Sequence, residues 1–303
     1  IKHHKVKNFK IKLKKIRAEE LIRDLEKYVN YNCKPLYTIT SYVGSKLHKL
    51  LKKKNFKVSL SGAGADELFA GYYDHGLHFL KQLKNSNSFK HELGMWKKNI
   101  LKHIRNPHFR NFRKFFKSNY YTDYIFSNPE NLKTMIKSKK YSEFKDKKYT
   151  NDNLRNRMLN EIYFETIPPI LNEDDQNHML SSVENRSPFL DADLAGFSFT
   201  IPTNLLIKDA QNKYILRQAF KDILPKKIFD NKKKMGFNAS IDSLVIRNKK
   251  SFQKIFPNKE RKIYNYINFK KLKKLYLKKK LTNAESMFLF RIINCSIFLE
   301  RFA

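Results

Sequence analysis

Apolar residues recur at helical spacing through the first part of the chain. In "AEELIRDLEKYV", Leu21, Ile22, Leu25 and Val29 fall on one face and predict a helix. "TSYVGSKLHKLLKKKN" puts Val43, Leu47, Leu50 and Leu51 together and predicts a second helix ending near Asn55. The period then changes. "FKVSL" reads as a brief buried strand, followed by a glycine loop and a helix opening at Asp66. Helix, strand, glycine loop, helix is the rhythm of a parallel α/β sheet.

Beyond about residue 77 the strand signal fades. "LRNRMLNEIYFETI" reads as a helix stopped by Pro168-Pro169. "NEDDQNHMLSSVE" and "DADLAGFSFTI" read as two more, the second N-capped by Asp191. "NKYILRQAFKDIL" predicts an amphipathic helix that buries Ile215, Leu216, Ala219, Phe220, Ile223 and Leu224 and closes at Pro225. A very basic helical extension follows residue 245. The pattern describes one sheet edge followed by a largely helical body.

Composition narrows the class. The 303 residues suffice to bury a substantial core. No run approaches the roughly 18 apolar residues of a membrane-spanning helix, and the start carries no secretory pattern. Cys33 and Cys295 stand far apart without metal-ligand spacing, which reads as two buried thiols in a reducing, cytoplasmic setting. The net charge of +35 admits two explanations: a polyanionic partner, or a compositional bias toward Lys and Asn. The lysines form many short runs, such as Lys232-Lys233-Lys234 and Lys278-Lys279-Lys280, and no single block, which favours the bias and makes nucleic acid an unfavoured partner.

The candidate chemistry lies in "FKVSLSGAGADELFAGYYDHG". A strand that ends in Ser61-Gly62 and reaches a helix through Gly64 presents backbone N–H groups free of Cβ shielding. Such a turn at the positive end of a helix favours anions. It also falls beyond the carboxyl end of a strand, where ligands of open parallel sheets bind. Asp66 and Glu67 add oxygen ligands suited to Mg²⁺ with substrate phosphates. An ordinary glycine turn with acidic residues in the first helical turn fits the same letters. His75 and His78 beside Asp74 read as packing residues, and Asp174-Asp175 as caps or ion-pair partners.

Four ordered segments resemble the synthetase domain of the asparagine synthetase (glutamine-hydrolysing) family. "SLSGAGADELFAGYYDH" is similar to its LSGxGxDELFxGY signature. "LNEDDQNHMLSSVENRSPFLDADL", "NKYILRQAFKDILPKKI" and "KKKMGFNASI" resemble its later motifs in the same order, over residues 34–242. The resemblance implies an ATP-pyrophosphatase-like (adenine nucleotide alpha hydrolase) α/β fold: a partial parallel sheet and then a helical body. It implies activation of a carboxylate by ATP, then displacement of AMP by ammonia. By position, Ser61, Gly62 and Gly64 would lie against the nucleotide, and Asp66 would hold Mg²⁺. Lys213 would lean on the phosphates, and Arg217, one turn on, would share its face. Glu184 and Arg186 become substrate-side residues or a structural ion pair.

Departures from the family pattern matter as well. Ala63 stands where an acidic residue is common, and Ser187 where a branched apolar one is usual, so a different acceptor acid is open. No SGGxDS phosphate loop occurs in the sequence, and the chain opens on Ile1. The expectation is therefore the C-terminal part of a synthetase, inactive alone. Residues 1–245 would form the amide-forming domain, and residues 246–303 a basic extension packed on it. The expected partners are a small carboxylate substrate, a glutaminase domain or other ammonia source upstream or in trans, a second copy of the chain, and no membrane. A non-catalytic nucleotide-binding paralogue and a nucleic-acid-binding protein on the same scaffold are the competing readings.

Overall fold

The computed structural model describes residues 12, 14–117, 130–137, 146–257 and 260–303. Helix α1 (Ala18–Asn32) forms where the periodicity places it, with Leu21, Leu25 and Val29 buried. Its C-terminus falls on Cys33 in the left-handed conformation, φ 52°, and the thiol is exposed; Cys295 is half-buried. The expectation of two buried thiols therefore fails, because Cys33 lies past the end of the helix that would have covered it.

Helix α2 (Ile39–Lys53) starts at Thr38, whose hydroxyl accepts from the Ser41 N–H. It buries Ile39, Tyr42, Val43, Ser45 and His48, while Leu47 is 45% exposed. The buried face is thus rotated from the leucine stripe. Polar contacts set it: the Tyr42 hydroxyl donates to Asp24 at 2.9 Å, and the His48 ring stacks on His178 with centroids 3.5 Å apart.

Strand β1 (Val58–Leu60) pairs in parallel with β2 (Glu184–Arg186), with Val58 opposite Glu184 and Leu60 opposite Arg186. β1 is not the buried strand that "FKVSL" suggests. Val58 is exposed and Leu60 is 71% exposed, because among the described residues β1 has a neighbour on one side alone. β2 begins at Glu184, the last residue of "NEDDQNHMLSSVE", which reads as helix in the sequence; its residues Glu-Asn-Arg carry no apolar alternation to betray a strand. The one-turn helix α3 (Ala65–Leu68) and α4 (Tyr73–Gln82) follow β1, then α5 (Phe89–Asn99).

Helix α6 (Asn153–Asn160) continues into a single π-helical turn over Glu161–Glu165. Pro168 and Pro169 then open α7 (Ile167–Met179) and do not simply end what precedes it: in the first turn proline loses no intrahelical bond. α8 (Ala192–Thr200) is capped as expected, the Asp191 carboxylate accepting from the N–H groups of Asp193 and Leu194 at 3.1 Å each. The hairpin β3 (Ile207–Lys208) and β4 (Gln211–Asn212) turns through Asp209 and Ala210, at φ 51° and 55°, a two-residue type I′ turn. It feeds α9 (Tyr214–Ala219), shorter than predicted, leaving Phe220 and Ile223 exposed.

The C-terminal region is helical, as read, with α10 (Phe269–Tyr276) and α11 (Asn283–Phe302). Its apolar side chains pack into the main core. Leu272, Leu289, Phe290 and Ile293 share the largest apolar cluster with Leu21, Leu25, Leu36 and Ile39, on both sides of residue 245. α10 turns Leu272, Leu275 and Tyr276 inward and its lysines outward. No described helix is long and apolar enough to cross a membrane.

Candidate functional site

A second cluster, Leu68, Phe69, Ala70, Leu154, Met158 and Ile207, forms the floor under the loop that leaves β1. Because β1 and β2 run parallel, their outgoing loops lie at the same end of the sheet. The Ser61 N–H donates to the Arg186 carbonyl at 2.8 Å, and the Ser61 and Ser187 hydroxyls are 3.0 Å apart, tying the two loops together. Gly64 begins α3 at φ 89°, in the left-handed region, and a Cβ there would lie 2.6 Å from Leu190 Cγ. A Cβ on Gly62 would meet nothing within 4 Å, so that backbone faces open space.

α3 presents Asp66 at this opening, and two cations converge on it. Lys213 Nζ lies 2.8 Å from Oδ1, and Lys234 Nζ bonds Oδ2. Burial disfavours the charged carboxylate, but the two ammoniums outweigh it and hold Asp66 below the ordinary carboxylate range. Glu67 takes no part: it is buried and accepts from the Tyr72 hydroxyl at 2.6 Å. The pairing of Asp66 with Glu67 as metal ligands, suggested by their adjacency, therefore dissolves, since adjacent residues of a helix point apart.

Lys213 is delivered from a distance by rigid parts. The hairpin turn is pinned by Glu92 on α5, which accepts from the N–H groups of Asp209 at 3.0 Å and Ala210 at 3.3 Å. Asn212 donates to the Tyr72 carbonyl at 2.8 Å. Lys213 itself sits at φ 58°, a conformation uncommon for a residue with a Cβ and a source of local strain. Arg217 points elsewhere: Nε donates to the Asn212 carbonyl at 3.0 Å, and Nη1 to the carbonyls of Ile228 and Phe229 at 2.6 and 2.9 Å. It braces the helix that starts at Lys213. Glu184 and Arg186 pair with each other at 2.7 Å and are exposed, Arg186 at the loop end of β2 and Glu184 at the far end.

Two members of the site escaped the sequence reading. Lys234 hides in a run of three lysines. Gly71 donates its N–H to the Asp66 carbonyl at 2.8 Å, and a Cβ on it would overlap Asp66 Oδ1 and lie 2.7 Å from Lys213 Cε. Its place in the "LFAGY" stretch was the one available signal.

The sequence model of the family described as Asparagine synthase matches residues 2–296. The chain belongs to the asparagine synthase family. It is 28% identical over 210 residues to "Asparagine synthetase [glutamine-hydrolyzing] 1" of Bacillus subtilis (strain 168), an alignment covering 62% of this chain and 32% of that protein. A second relative, "Asparagine synthetase [glutamine-hydrolyzing] 3" of the same organism, is 28% identical over 196 residues, covering 60% of this chain and 26% of the relative. The chain thus spans about a quarter to a third of the length of the curated relatives it matches. Within this asparagine synthase family member, the turn at Ser61–Gly64, Asp66, Lys213 and Lys234 form one connected, partly open cluster at the loop end of the sheet.

Proposed function

We propose that this chain contributes the carboxylate-activating site of an ATP-dependent amide-forming ligase, in an ATP-pyrophosphatase-like domain of which residues 1–245 form the body and 246–303 a packed extension. The observation that carries the proposal is the 2.8 Å contact between Lys213 and Asp66 at the loop end of a parallel strand pair. It joins a turn suited to phosphate with a cation and a carboxylate from distant parts of the sequence. The substrate carboxylate oxygen attacks the α-phosphorus of ATP, the bond to the β-phosphate breaks, and pyrophosphate leaves. Ammonia then adds to the acyl carbon, loses a proton, and AMP departs. The backbone N–H groups from Ser61 to Gly64 and the Lys213 ammonium would receive negative charge as it builds on the α-phosphate and the leaving pyrophosphate. Arg217 supports this by holding the start of α9.

Asp66 suits Mg²⁺, a hard cation that takes one or two protein carboxylates and otherwise phosphate and water oxygens. Magnesium would neutralise phosphate charge, and this chain's part is to offer Asp66 beside the turn. Glu184 and Arg186 would border the acceptor, with Ala63 leaving the acceptor pocket without the acid common there. We further propose that ammonia comes from a glutaminase domain or a separate source, and that the protein works in the cytoplasm, with a homodimer as the assembly to test.

The test is pyrophosphate release by the full-length protein, which should require both ATP and a carboxylate. Lys213→Ala should lower that release about 10²-fold, the scale of losing one charge-stabilising group, with an unchanged thermal midpoint. Absence of release with aspartate and with a panel of other acids would refute the ligase reading.

A further inference from the structure

The β3–β4 turn meets α5 through three side chains of metal-ligating type. His91 Nε2 lies 2.7 Å from Asp209 Oδ1, and Glu92 accepts from the backbone N–H groups of Asp209 and Ala210. One nitrogen or carboxylate oxygen from each of His91, Glu92 and Asp209 lies within 4.8 Å of the other two. Neighbours on a helix point apart, and here the turn fits between them: the Asp209 carboxylate reaches His91 while its N–H reaches Glu92. No hydrogen bond or ion pair among the described residues joins this group to Asp66.

The charges favour a cation. Among the described residues no lysine or arginine bridges either carboxylate, and Lys232 Nζ goes to the Asp209 backbone carbonyl at 2.7 Å. The buried group of Asp74, His75 and Glu161 differs, because there Arg157 bonds Asp74 and Glu161 and supplies the positive charge. Two of the three ligands are also held in advance. Glu92 is 8% exposed and fixed by two N–H groups, and each of its oxygens keeps a further lone pair. Asp209 belongs to the turn that those bonds anchor. His91, with its side chain 62% exposed, is the adjustable member. Two ligand atoms on a tetrahedral ion stand about 3.4 Å apart, so the 2.7 Å contact of His91 with Asp209 has to open by about 0.7 Å. An exposed imidazole does this by rotating, and the proton it holds against Asp209 leaves that nitrogen as the metal arrives.

We propose that His91, Glu92 and Asp209 form a site for a divalent transition-metal ion of the zinc class, which staples the β3–β4 turn to α5. An imidazole beside two carboxylates selects Zn²⁺, Co²⁺ or Ni²⁺ over Mg²⁺, which prefers oxygen ligands and sheds its water reluctantly. The exposed side leaves room for water in the remaining coordination positions. Asp209 precedes Lys213 by four residues, so the ion tightens the arm that carries that lysine.

The experiment uses the full-length protein with Zn²⁺ alone, measured by competition against a chromophoric chelator. Thiolates also bind zinc and Cys33 is exposed, so the reading is the equivalent that each variant loses relative to wild type. His91→Ala and Asp209→Asn should each lose one equivalent, its affinity falling at least about tenfold, since even a group one shell out from a metal is worth that much. Both changes keep the Glu92 bonds to the turn, and asparagine accepts the φ of 51° at that position, so the metal-free thermal midpoint should match wild type. Added Zn²⁺ should raise the midpoint of wild type more than that of either variant. Co²⁺ in place of Zn²⁺ should give a visible absorption that His91→Ala removes. Asp66→Asn should keep the equivalent, and excess Mg²⁺ should leave it bound. Zinc binding unchanged in His91→Ala overturns the proposal, as does an equivalent that Asp209→Asn retains or Mg²⁺ displaces. Its loss in Asp66→Asn places the ion at Asp66 and overturns this site as well.

Discussion

Two charge clusters flank helix α4, and they are built on opposite plans. On the buried side, one cation serves several acids. Arg157 bonds Asp74 at 3.0 Å, Glu161 at 2.8 Å and Glu165, while the His75 ring bonds Glu161 at 2.7 Å. Every one of these groups but Glu165 is fully buried, and the π-helical turn at Glu161–Glu165 lets Glu161 and Glu165 both face Arg157. Asp74, His75 and Glu161 bring ligand atoms within 4.8 Å of one another, as a metal site would, but Arg157 already supplies the cation. At the loop end, one acid meets two cations, and the side chains stay 19–28% exposed. A cluster whose charges are matched and sealed holds the fold. A cluster with surplus charge and a path to solvent is able to take up an ion. The sequence offers both as Asp with His or Glu nearby, and three-dimensional closure tells them apart.

The sharpest way to break this comparison is to remove the cation from each cluster. Arg157→Leu leaves Asp74 and Glu161 buried without their partner, and should cost about 3–5 kcal/mol in urea unfolding. Lys213→Ala or Lys234→Ala should each cost under about 1 kcal/mol, since the remaining lysine and water still serve Asp66. Similar losses at both clusters would show that the distinction between sealed and open charge is wrong.

Acid exposes the same contrast. Burial pushes His78, one turn along α4 from Asp74, down to about 3, and pushes His48, stacked on His178, down to about 4. An unfolded histidine takes its proton near 6.5. Both folded values are depressed, so their stability contribution is complete above pH 6.5 and is lost as pH falls toward 4 and 3. Together they should make stability fall steadily over that window, read as a falling urea midpoint. His48→Gln should flatten the upper part of the curve. A midpoint constant from pH 7 to 4 would contradict the buried, uncharged state of both rings.

Gly71→Ala should come next on stability, at about 1–2 kcal/mol for a forced shift, yet strike the site hard. Its Cβ would occupy the place of Asp66 Oδ1 and crowd Lys213. Pyrophosphate release should fall by at least tenfold while urea unfolding stays cooperative. Full activity in Gly71→Ala would mean that the contact between Asp66 and Lys213 is dispensable.

How much of this was legible beforehand depended on range. The Ser61–Gly64 turn, Asp66 and the Asp191 cap were readable because their chemistry is local: a glycine, a carboxylate and a helix start within a few residues. β2 was not, since three polar residues carry no alternation and their pairing with β1 is made 126 residues away. The rotation of α2 was set by Asp24 and His178, which no stripe on α2 itself encodes. Lys213 was legible through its surrounding motif, and Lys234 lies within the quoted "KKKMGFNASI" segment, but among its three consecutive lysines the Tyr73 hydroxyl and the Tyr72 ring make the selection.

The smallest expected effect on stability belongs to the exposed pair on β2. Glu184 and Arg186 are i and i+2 on one face of a strand, bonded to each other at 2.7 Å, and solvent screens them. The bond that ties β2 to the loop uses the backbone carbonyl of Arg186, which no side-chain substitution removes. Glu184→Gln and Arg186→Ala should therefore leave the thermal midpoint within error of wild type. Their effects on activity should separate, because Arg186 pairs with Leu60, next to the Ser61 turn, whereas Glu184 sits two residues back, opposite Val58. Arg186→Ala should raise the KM for the carboxylate several-fold with kcat nearly unchanged, and Glu184→Gln should do so less. Equal and negligible effects in steady-state kinetics would assign the pair to the solvated surface and confine the site to the Asp66 side of the sheet.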